Sequence, residues 1–188
     1  MEPAYQPYLA RVLLDEATLQ ARIAELGTQI STDYQGQGEL ILVCILKGGV
    51  LFMCDLMRHI TLPHTIEFMA VSSYGVGKRE SSGHVRILMD LALDIRDKHV
   101  LIVEDIIDSG HTLAYITRQL EARRPSSLGI CTLLSKPSRR EIDITIKYLG
   151  FEIPNEFVFG YGLDLDEKFR NLPFVGIVNL EAYRGTKG

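Results

Sequence analysis

The chain has 188 residues, 46% of them hydrophobic, which is enough to bury one core but too little for two independent domains. A formal net charge of −4 argues against an extended nucleic-acid surface and against an anionic membrane surface. No apolar run approaches membrane-spanning length and the first residues lack the features of a signal peptide, so we expect a cytoplasmic protein.

The first half of the chain predicts a helix followed by a βαβ unit. From Asp15, apolar side chains repeat at helical spacing until Gly36 and Gly38 end the pattern. A continuous apolar strand, a helix and a second strand are then predicted at 40–46, 50–60 and 66–71. Because the two strands are separated by a helix, we expect them to pair in parallel.

The rest of the chain continues the alternation and then breaks it. Residues 72–83 are rich in Ser, Gly and charged residues without periodicity, which predicts a mobile loop. A helix is predicted from about Thr112 and ends before Pro125. Further strands are predicted at 85–88, 99–103, 128–134, 158–161 and 175–178. This order predicts an α/β core with a less regular C-terminal segment.

The three cysteines indicate buried, reduced thiols rather than disulfides or a zinc site. Cys44, Cys54 and Cys131 are odd in number and widely spaced. Neither a C-x-x-C nor an H-E-x-x-H spacing occurs. Any metal is therefore expected to arrive with a substrate.

The segment 100–113, VLIVEDIIDSGHTL, carries the clearest chemical signal. An apolar strand runs directly into Glu104 and Asp105, and a turn with Asp108 then leads into a helix. The carboxyl end of a strand in an open α/β sheet is where ligands bind, and free N–H groups at a helix start favour phosphate. Ser109 and Thr112 add hydroxyl donors, and glycine at the turn permits close approach of the backbone.

Carboxylates next to an anion site require a ligand that also offers hydroxyl groups or a bound cation. A ribose 5-phosphate offers both. Glu104 and Asp105 can accept hydrogen bonds from its 2′ and 3′ hydroxyls, directly or through a metal and its waters. Asp108 is then expected nearer the reacting carbon. A solvated acidic loop would explain any one of these acids, but it explains the whole run poorly.

This run resembles the binding signature for 5-phosphoribosyl 1-pyrophosphate (PRPP) of the type I phosphoribosyltransferases. Four further segments occur in the family's order and narrow the resemblance to its hypoxanthine-guanine branch: 46–49 (LKGG), 72–75 (SSYG), 136–140 (KPSRR) and 157–170. The resemblance implies an α/β fold, with a mostly parallel twisted sheet flanked by helices and a small C-terminal hood. We expect one domain over residues 1–188, with a core at about 37–145 and a hood at about 1–14 and 146–188. We also expect the first helix to pack with the hood.

The resemblance assigns residues to PRPP and to the leaving pyrophosphate. Arg170 is expected to bind pyrophosphate through its guanidinium group. Lys47 and the backbone of Gly48 are expected to bind pyrophosphate as well, with an exposed lysine in a plain glycine turn as the alternative. In relatives the peptide aligned with Lys47–Gly48 can be cis. Ser73 and Tyr74 are expected in a lid that excludes water, with an ordinary surface loop as the alternative. The full PRPP and phosphate set is Lys47, Gly48, Glu104, Asp105, Asp108, Ser109, Gly110, His111, Thr112 and Arg170.

A purine is the expected acceptor. The ammonium of Lys136 only donates, so it can satisfy O6 of hypoxanthine or guanine but opposes the amino group of adenine. By resemblance, Phe157 stacks on the base and Val158 offers backbone groups to the base edge, although an aromatic between apolar neighbours is often core. Asp164 is assigned to the purine side and, with Glu104 and Asp105, to Mg²⁺. Arg140 is expected to fix its loop or to reach pyrophosphate, with a plain surface charge as the alternative.

The expected activity is purine salvage, in which hypoxanthine, and guanine, react with PRPP to give IMP or GMP and pyrophosphate. Asp108 is the candidate for handling the N7 proton. A transferase that prefers xanthine and a non-catalytic, PRPP-sensing regulator that binds nucleic acid remain alternatives. The acidic composition, with Asp108 and Lys136 both present, counts against the regulator. The resemblance also implies a homodimer or homotetramer.

Overall fold

The computed structural model describes residues 3–73 and 85–185. Within them the chain forms a six-stranded sheet and a three-stranded sheet. The strands are β1 (Leu9–Leu14), β2 (Leu40–Leu46), β3 (His64–Ser73), β4 (Val85–Met89), β5 (His99–Ile107), β6 (Ser127–Ser135), β7 (Tyr148–Glu152), β8 (Val158–Phe159) and β9 (Val175–Val178). The helices are α1 (Glu16–Tyr34), α2 (Val50–His59), α3 (His111–Glu121) and α4 (Leu180–Gly185), with short 3₁₀ turns at Gln6–Tyr8 and Pro137–Arg139.

The six-stranded sheet has the order β4-β3-β2-β5-β6-β7 and is parallel except for the edge strand β4. Its central strand β2 is buried along nearly its whole length, as a parallel strand covered on both faces must be. The predicted βαβ unit is confirmed, with Leu42 of β2 paired to Ile66 of β3. The α/β fold and the mostly parallel sheet predicted from the sequence are therefore confirmed.

Helices cover both faces of this sheet. Helix α1 begins after Asp15, whose carboxylate accepts a hydrogen bond from the Thr18 N–H at 2.8 Å. Its apolar face packs with α2 against one side of the sheet, where Leu42 of β2 points. The next residue, Val43, points to the opposite side, where α3 packs through Ile116. Helix α1 thus lies on the core sheet and also contacts the hood, because its Ile23 belongs to the same buried cluster as Val158 and Tyr161.

The smaller sheet joins the two ends of the described chain. Strand β1 pairs antiparallel with β9, from Leu9 opposite Val178 to Leu14 opposite Val175, and β9 also pairs with β8. This sheet is the hood that the sequence predicts; residues 1–14 were expected in it, although no strand was predicted there. Strand β7, which follows residue 146, lies instead in the larger sheet. The boundary between core and hood remains a prediction.

The three cysteines are free thiols, and Cys44 and Cys131 are buried while Cys54 is exposed. Burial raises the pKa of the Cys44 thiol to about 12, so this group is protonated at neutral pH. Within the described ranges, no helix is both long enough and apolar enough to cross a membrane.

Candidate active site

The turn after β5 lies at the carboxyl end of a central strand, where the sequence predicts the site. Gly110 adopts a φ of +92° and precedes the first residue of α3. A Cβ at this position would lie 2.9 Å from Ile144 Cδ1, the movable end of a side chain, so the glycine is needed chiefly for its backbone conformation. A cavity of about 170 Å³ opens here, lined by Glu104, Ile106, Ile107, Asp108, Ser109, Gly110, Thr112 and Leu113. The backbone N–H groups of the loop and of the first turn of the helix can therefore donate hydrogen bonds to a bound anion.

Glu104 and Asp105 form a tightly coupled acidic pair beside this cavity. Burial, and then the charge of Asp105, raise the pKa of Glu104 well above its usual value. Burial also raises the pKa of Asp105, although the Ile106 N–H donates to its carboxylate at 2.8 Å and opposes that rise. Glu104 Oε2 is fully enclosed and has no hydrogen-bond partner within the described part of the chain. An unsatisfied oxygen in a paired acid set suits a divalent cation with its waters, so these residues fit Mg²⁺.

The loop after β2 packs directly on this acidic pair. A Cβ added to Gly48 would lie 1.6 Å from Asp105 Oδ2, so any side chain at this position would displace the carboxylate. The cis peptide bond of this loop joins Leu46 to Lys47, which corrects our expectation by one bond, since we looked for it between Lys47 and Gly48. The loop and the acidic pair therefore form one continuous surface.

The hood reaches the same place through a second close contact. Gly162 has a φ of +96°, and a Cβ there would lie 2.1 Å from the carbonyl oxygen of Gly48. Arg170 donates to the Gly162 carbonyl at 2.8 Å, and the Gly162 N–H donates back to the Arg170 carbonyl at 2.8 Å. Arg170 is thus brought close to the predicted residues Lys47 and Gly48, although it lies more than 100 positions from them in the chain.

Two ion pairs within this hood segment and a third to Lys47 connect the segment to the Lys47 loop. Arg170 Nη2 lies 2.8 Å from Asp164 Oδ1 and 3.2 Å from Glu167 Oε1. The other carboxylate oxygen of Glu167 lies 2.6 Å from Lys47 Nζ. Glu167 was missed by the sequence reasoning, because nothing in the acidic segment that contains it shows which carboxylate reaches Lys47.

Asp164 does not join the acidic pair as we expected for a metal ligand. Its Oδ1 faces Arg170, and its Oδ2 accepts the Glu167 N–H at 2.9 Å. Over residues 3–73 and 85–185, no group of three His, Cys, Asp or Glu side chains is placed to hold a metal ion. The predicted set of Glu104, Asp105 and Asp164 is therefore not gathered into one cluster of protein ligands.

The turn of the predicted phosphate site is held by charges from the segment after β6. Arg139 Nε lies 3.2 Å from Asp108 Oδ1, with both side chains about half exposed. His111 Nε2 lies 2.7 Å from Glu141 Oε2 in a similar environment. Neither Arg139 nor Glu141 was predicted as a site residue, since a charged stretch after a strand normally faces solvent.

Backbone hydrogen bonds join the same two segments. The Lys136 N–H donates to the Ile107 carbonyl at 3.0 Å, and the Glu141 N–H donates to the Ser109 carbonyl at 3.0 Å. Arg140 donates to Ser135 Oγ at 2.8 Å and so fixes its own loop. The predicted purine segment and the predicted phosphate turn are therefore held next to each other by backbone hydrogen bonds.

The residues predicted for the base lie on two elements. Lys136 follows β6 and is only 7% exposed, while Phe157 precedes β8 and is 46% exposed. The Phe157 ring lies 6.1 Å from the Tyr183 ring of α4, and Val158 is buried in the hood sheet opposite Ile177. Phe157 is thus a surface aromatic rather than a core residue, which suits a stacking platform.

Of the two predicted lid residues, Ser73 is the last residue of β3, and Tyr74 lies outside the described residues. Larger cavities occur elsewhere in the described part of the chain, of about 410 Å³ beside α3, about 630 Å³ near the start of β3 and about 220 Å³ beside the end of α1. None of these three is lined by a predicted site residue, so cavity size alone does not locate the site.

Comparison with known proteins agrees with this arrangement. Residues 12–166 match the model of the phosphoribosyl transferase domain family. The chain is 52% identical to the hypoxanthine phosphoribosyltransferase of Salmonella typhimurium, covering 92% of this chain and 97% of that protein. It is 50% identical to the hypoxanthine-guanine phosphoribosyltransferase of Mycobacterium tuberculosis, covering 96% of this chain and 91% of that protein. A crystal structure of a hypoxanthine phosphoribosyltransferase from Staphylococcus aureus superposes with a TM-score of 0.92 at 49% identity, covering 97% of this chain and 98% of that one.

Proposed function

The chain belongs to the phosphoribosyl transferase family and is an enzyme of purine salvage, and from this premise we propose that it converts hypoxanthine and PRPP to IMP and pyrophosphate. Guanine is the second acceptor, giving GMP. The observation that carries the proposal is the coupled pair of Glu104 and Asp105 beside the start of α3, with Gly48 packed against it. This geometry offers one place for the hydroxyls of a ribose and another for its phosphate.

The 5-phosphate of PRPP binds at the turn that precedes α3. Backbone N–H groups and the side chains of Ser109 and Thr112 donate to its oxygens, and Gly110 lets the backbone approach. Glu104 and Asp105 accept hydrogen bonds from the 2′ and 3′ hydroxyls. The side chains of His111 and Glu141 hold the turn in place through their 2.7 Å contact.

Magnesium is the proposed cofactor. Glu104 and Asp105 would hold it, directly or through waters, and when bound it would neutralise charge on the departing pyrophosphate. Pyrophosphate binds to Lys47, to the backbone of Gly48 and to Arg170. Their placement in one contact network supports this assignment.

The base binds between the end of β6 and the start of β8. Lys136 donates to O6 of the purine, Phe157 stacks on the ring and Val158 offers backbone groups to the base edge. Asp108 handles the N7 proton, a contribution of this kind being worth on the order of 10² to 10⁴ in rate. Most of the remaining acceleration comes from positioning both substrates. The assignment of Ser73 and Tyr74 to a lid remains a prediction from the resemblance.

The test of this function is IMP formation from hypoxanthine and PRPP, with and without a chelator. Competition among hypoxanthine, guanine, xanthine and adenine then measures base selection. We expect magnesium-dependent release of pyrophosphate and discrimination against adenine, because Lys136 cannot accept a hydrogen bond. Preference for adenine would overturn the role of Lys136. Salt-sensitive RNA binding without base-dependent pyrophosphate release would favour the regulator.

Assembly as a homodimer or homotetramer and a cytoplasmic location remain predictions. Size-exclusion chromatography with light scattering would determine the number of subunits. The relative use of hypoxanthine, guanine and xanthine follows from the same competition assay.

A further inference from the structure

Glu167 contacts both cations that we assign to pyrophosphate. Its two carboxylate oxygens face Lys47 Nζ at 2.6 Å and Arg170 Nη2 at 3.2 Å. A pyrophosphate that bound these two cations would need the positions that these oxygens occupy. Glu167 is thus an anion of the chain itself at the place proposed for an anion of the substrate.

The charges around this contact are balanced. Lys47 and Arg170 face the carboxylates of Glu167 and Asp164, so the four side chains carry no net charge together. The hydrogen bond from Lys47, and then the charge of Arg170, hold the pKa of Glu167 below its usual value. Glu167 is therefore ionised at neutral pH, and a pyrophosphate would meet no excess positive charge until it moved away.

The local fold holds Glu167 over the Lys47 loop. Its N–H donates to Asp164 Oδ2 at 2.9 Å, and Leu165 and Lys168 close the turn through backbone hydrogen bonds of 3.0 and 3.1 Å. Glu167 itself has a φ of +63°, which a residue other than glycine adopts only where its surroundings enforce it. The backbone therefore directs the carboxylate towards Lys47. The side chain is 64% exposed, so it has room to move away.

We propose that Glu167 competes with pyrophosphate for Lys47 and Arg170, and that it thereby weakens pyrophosphate binding and speeds the release of this product. This inference rests on the proposed function, because it takes these two cations as the pyrophosphate site. Exposed ion pairs are individually weak, so a multiply charged ligand can displace the carboxylate. The opposite role, in which Glu167 orients the two cations for pyrophosphate, predicts the opposite change in affinity.

The test is Glu167→Gln, which keeps the size of the side chain and removes its charge. We expect the dissociation constant of inorganic pyrophosphate with magnesium, measured by calorimetry, to fall by roughly two- to tenfold, as the loss of two exposed competing ion pairs implies. The product-inhibition constant of pyrophosphate should fall in parallel. The difference from the unaltered protein should shrink at high salt, which screens exposed charges.

Two further variants make the result decisive. Glu121→Gln removes an equal charge from an exposed position at the end of α3 and should leave pyrophosphate binding unchanged. Lys47→Met should weaken pyrophosphate binding. If Lys47→Met has no effect, pyrophosphate binds elsewhere, and both the assigned site and this inference fail. If Lys47→Met weakens binding but Glu167→Gln leaves it equal or weaker, the site stands and the competition is overturned.

Discussion

Acidic side chains in this chain differ in behaviour because their surroundings differ. Glu104 and Asp105 are adjacent and partly buried, and burial raises the pKa of each. Asp108, three residues further on, lies half exposed beside Arg139. Glu167 is exposed between two cations, which lower its pKa. We therefore assign different roles to these acids because of their environments: cation binding to Glu104 and Asp105, proton handling to Asp108, and competition with an anion to Glu167.

The coupled acidic pair should limit stability when magnesium is absent. Because the folded-state pKa of Glu104 lies above the unfolded value, the folded chain binds the proton more tightly. The resulting stabilisation is present at low pH and is lost as pH rises towards the raised pKa. Glu104→Gln should remove this loss of stability at higher pH. It should therefore raise the melting temperature of the metal-free protein at neutral pH, by about 2–4 °C for each kcal/mol gained in the free energy of unfolding.

Thermal unfolding from pH 4 to 8 in a chelator, with and without the substitution, measures this effect. Magnesium should raise the melting temperature of the unaltered protein more than that of the variant, and the variant should lose activity. A variant that melts below the unaltered protein throughout the range would show that Glu104 is not destabilising.

Asp108→Asn tests the proton-handling role directly. The amide keeps the shape and can still face Arg139, but it cannot take up the N7 proton. We expect kcat to fall on the order of 10²-fold or more with little change in the KM for PRPP. Asp143→Asn, an exposed aspartate outside the proposed site, is the matched control. Equal turnover of the two variants would remove Asp108 from this role.

The contact between the hood loop and the β2–α2 loop depends on two glycines. Gly162→Ala would place a Cβ 2.1 Å from the Gly48 carbonyl oxygen and would separate the two loops. Because Arg170 is hydrogen-bonded to Gly162, we expect kcat/KM for PRPP to fall on the order of 10²-fold, as misplacement by about 1 Å can cause.

Gly36→Ala provides a close control for this substitution. Gly36 also has a positive φ, of +73°, but no heavy atom of its described surroundings, beyond its own chain neighbours, lies within 4 Å of the added Cβ. Both variants carry the conformational cost of roughly 1–2 kcal/mol that an L-residue meets there. Steady-state kinetics should show a loss for Gly162→Ala alone; equal kinetics would mean that the loop contact is not needed for PRPP.

The elements that the sequence predicts well are those whose burial is encoded locally. Strand β2 is a continuous apolar run because helices cover both its faces, and α1 shows its buried stripe at helical spacing. Strands β1 and β7 were not predicted. Each is short and only partly buried, and each is stabilised by a partner distant in sequence, β9 for β1 and β6 for β7.

The same distinction applies to the candidate site. The turn around Asp108 was predicted because strand, acids, glycine and helix start are contiguous in sequence. The contacts of Arg139 with Asp108 and of Glu167 with Lys47 were not, because they join segments 31 and 120 positions apart. Which charged side chains meet across such distances depends on how segments distant in sequence pack together, which no local pattern records.

Hood and core share one buried cluster. Val158, Tyr161 and Val175 of the hood lie in the same cluster as Ile23 of α1 and Leu42 of β2. The Tyr161 hydroxyl also donates to Asp55 of α2 at 2.5 Å. The two parts should therefore unfold together.

Urea unfolding followed by circular dichroism and by tyrosine fluorescence should give coincident transitions. Tyr161→Phe should lower both midpoints together, corresponding to a loss of about 1 kcal/mol in stability, because the partly buried Asp55 carboxylate loses one of its two donors and keeps only Gln20. Tyr8→Phe removes a hydroxyl elsewhere in the hood and serves as the control. Transitions that do not coincide would show that the chain does not unfold as one unit.

The pairing of Leu9 with Val178 has a consequence for how the enzyme is made. During translation the first strand emerges from the ribosome long before its partner has been synthesised. The strands of the larger sheet, β2 to β7, are synthesised earlier, but the pairing of β1 and the backbone hydrogen bond from Val178 to Phe157 must wait for β9. Because hood and core share one buried cluster, a nascent chain that stops before Val175 should remain incompletely folded.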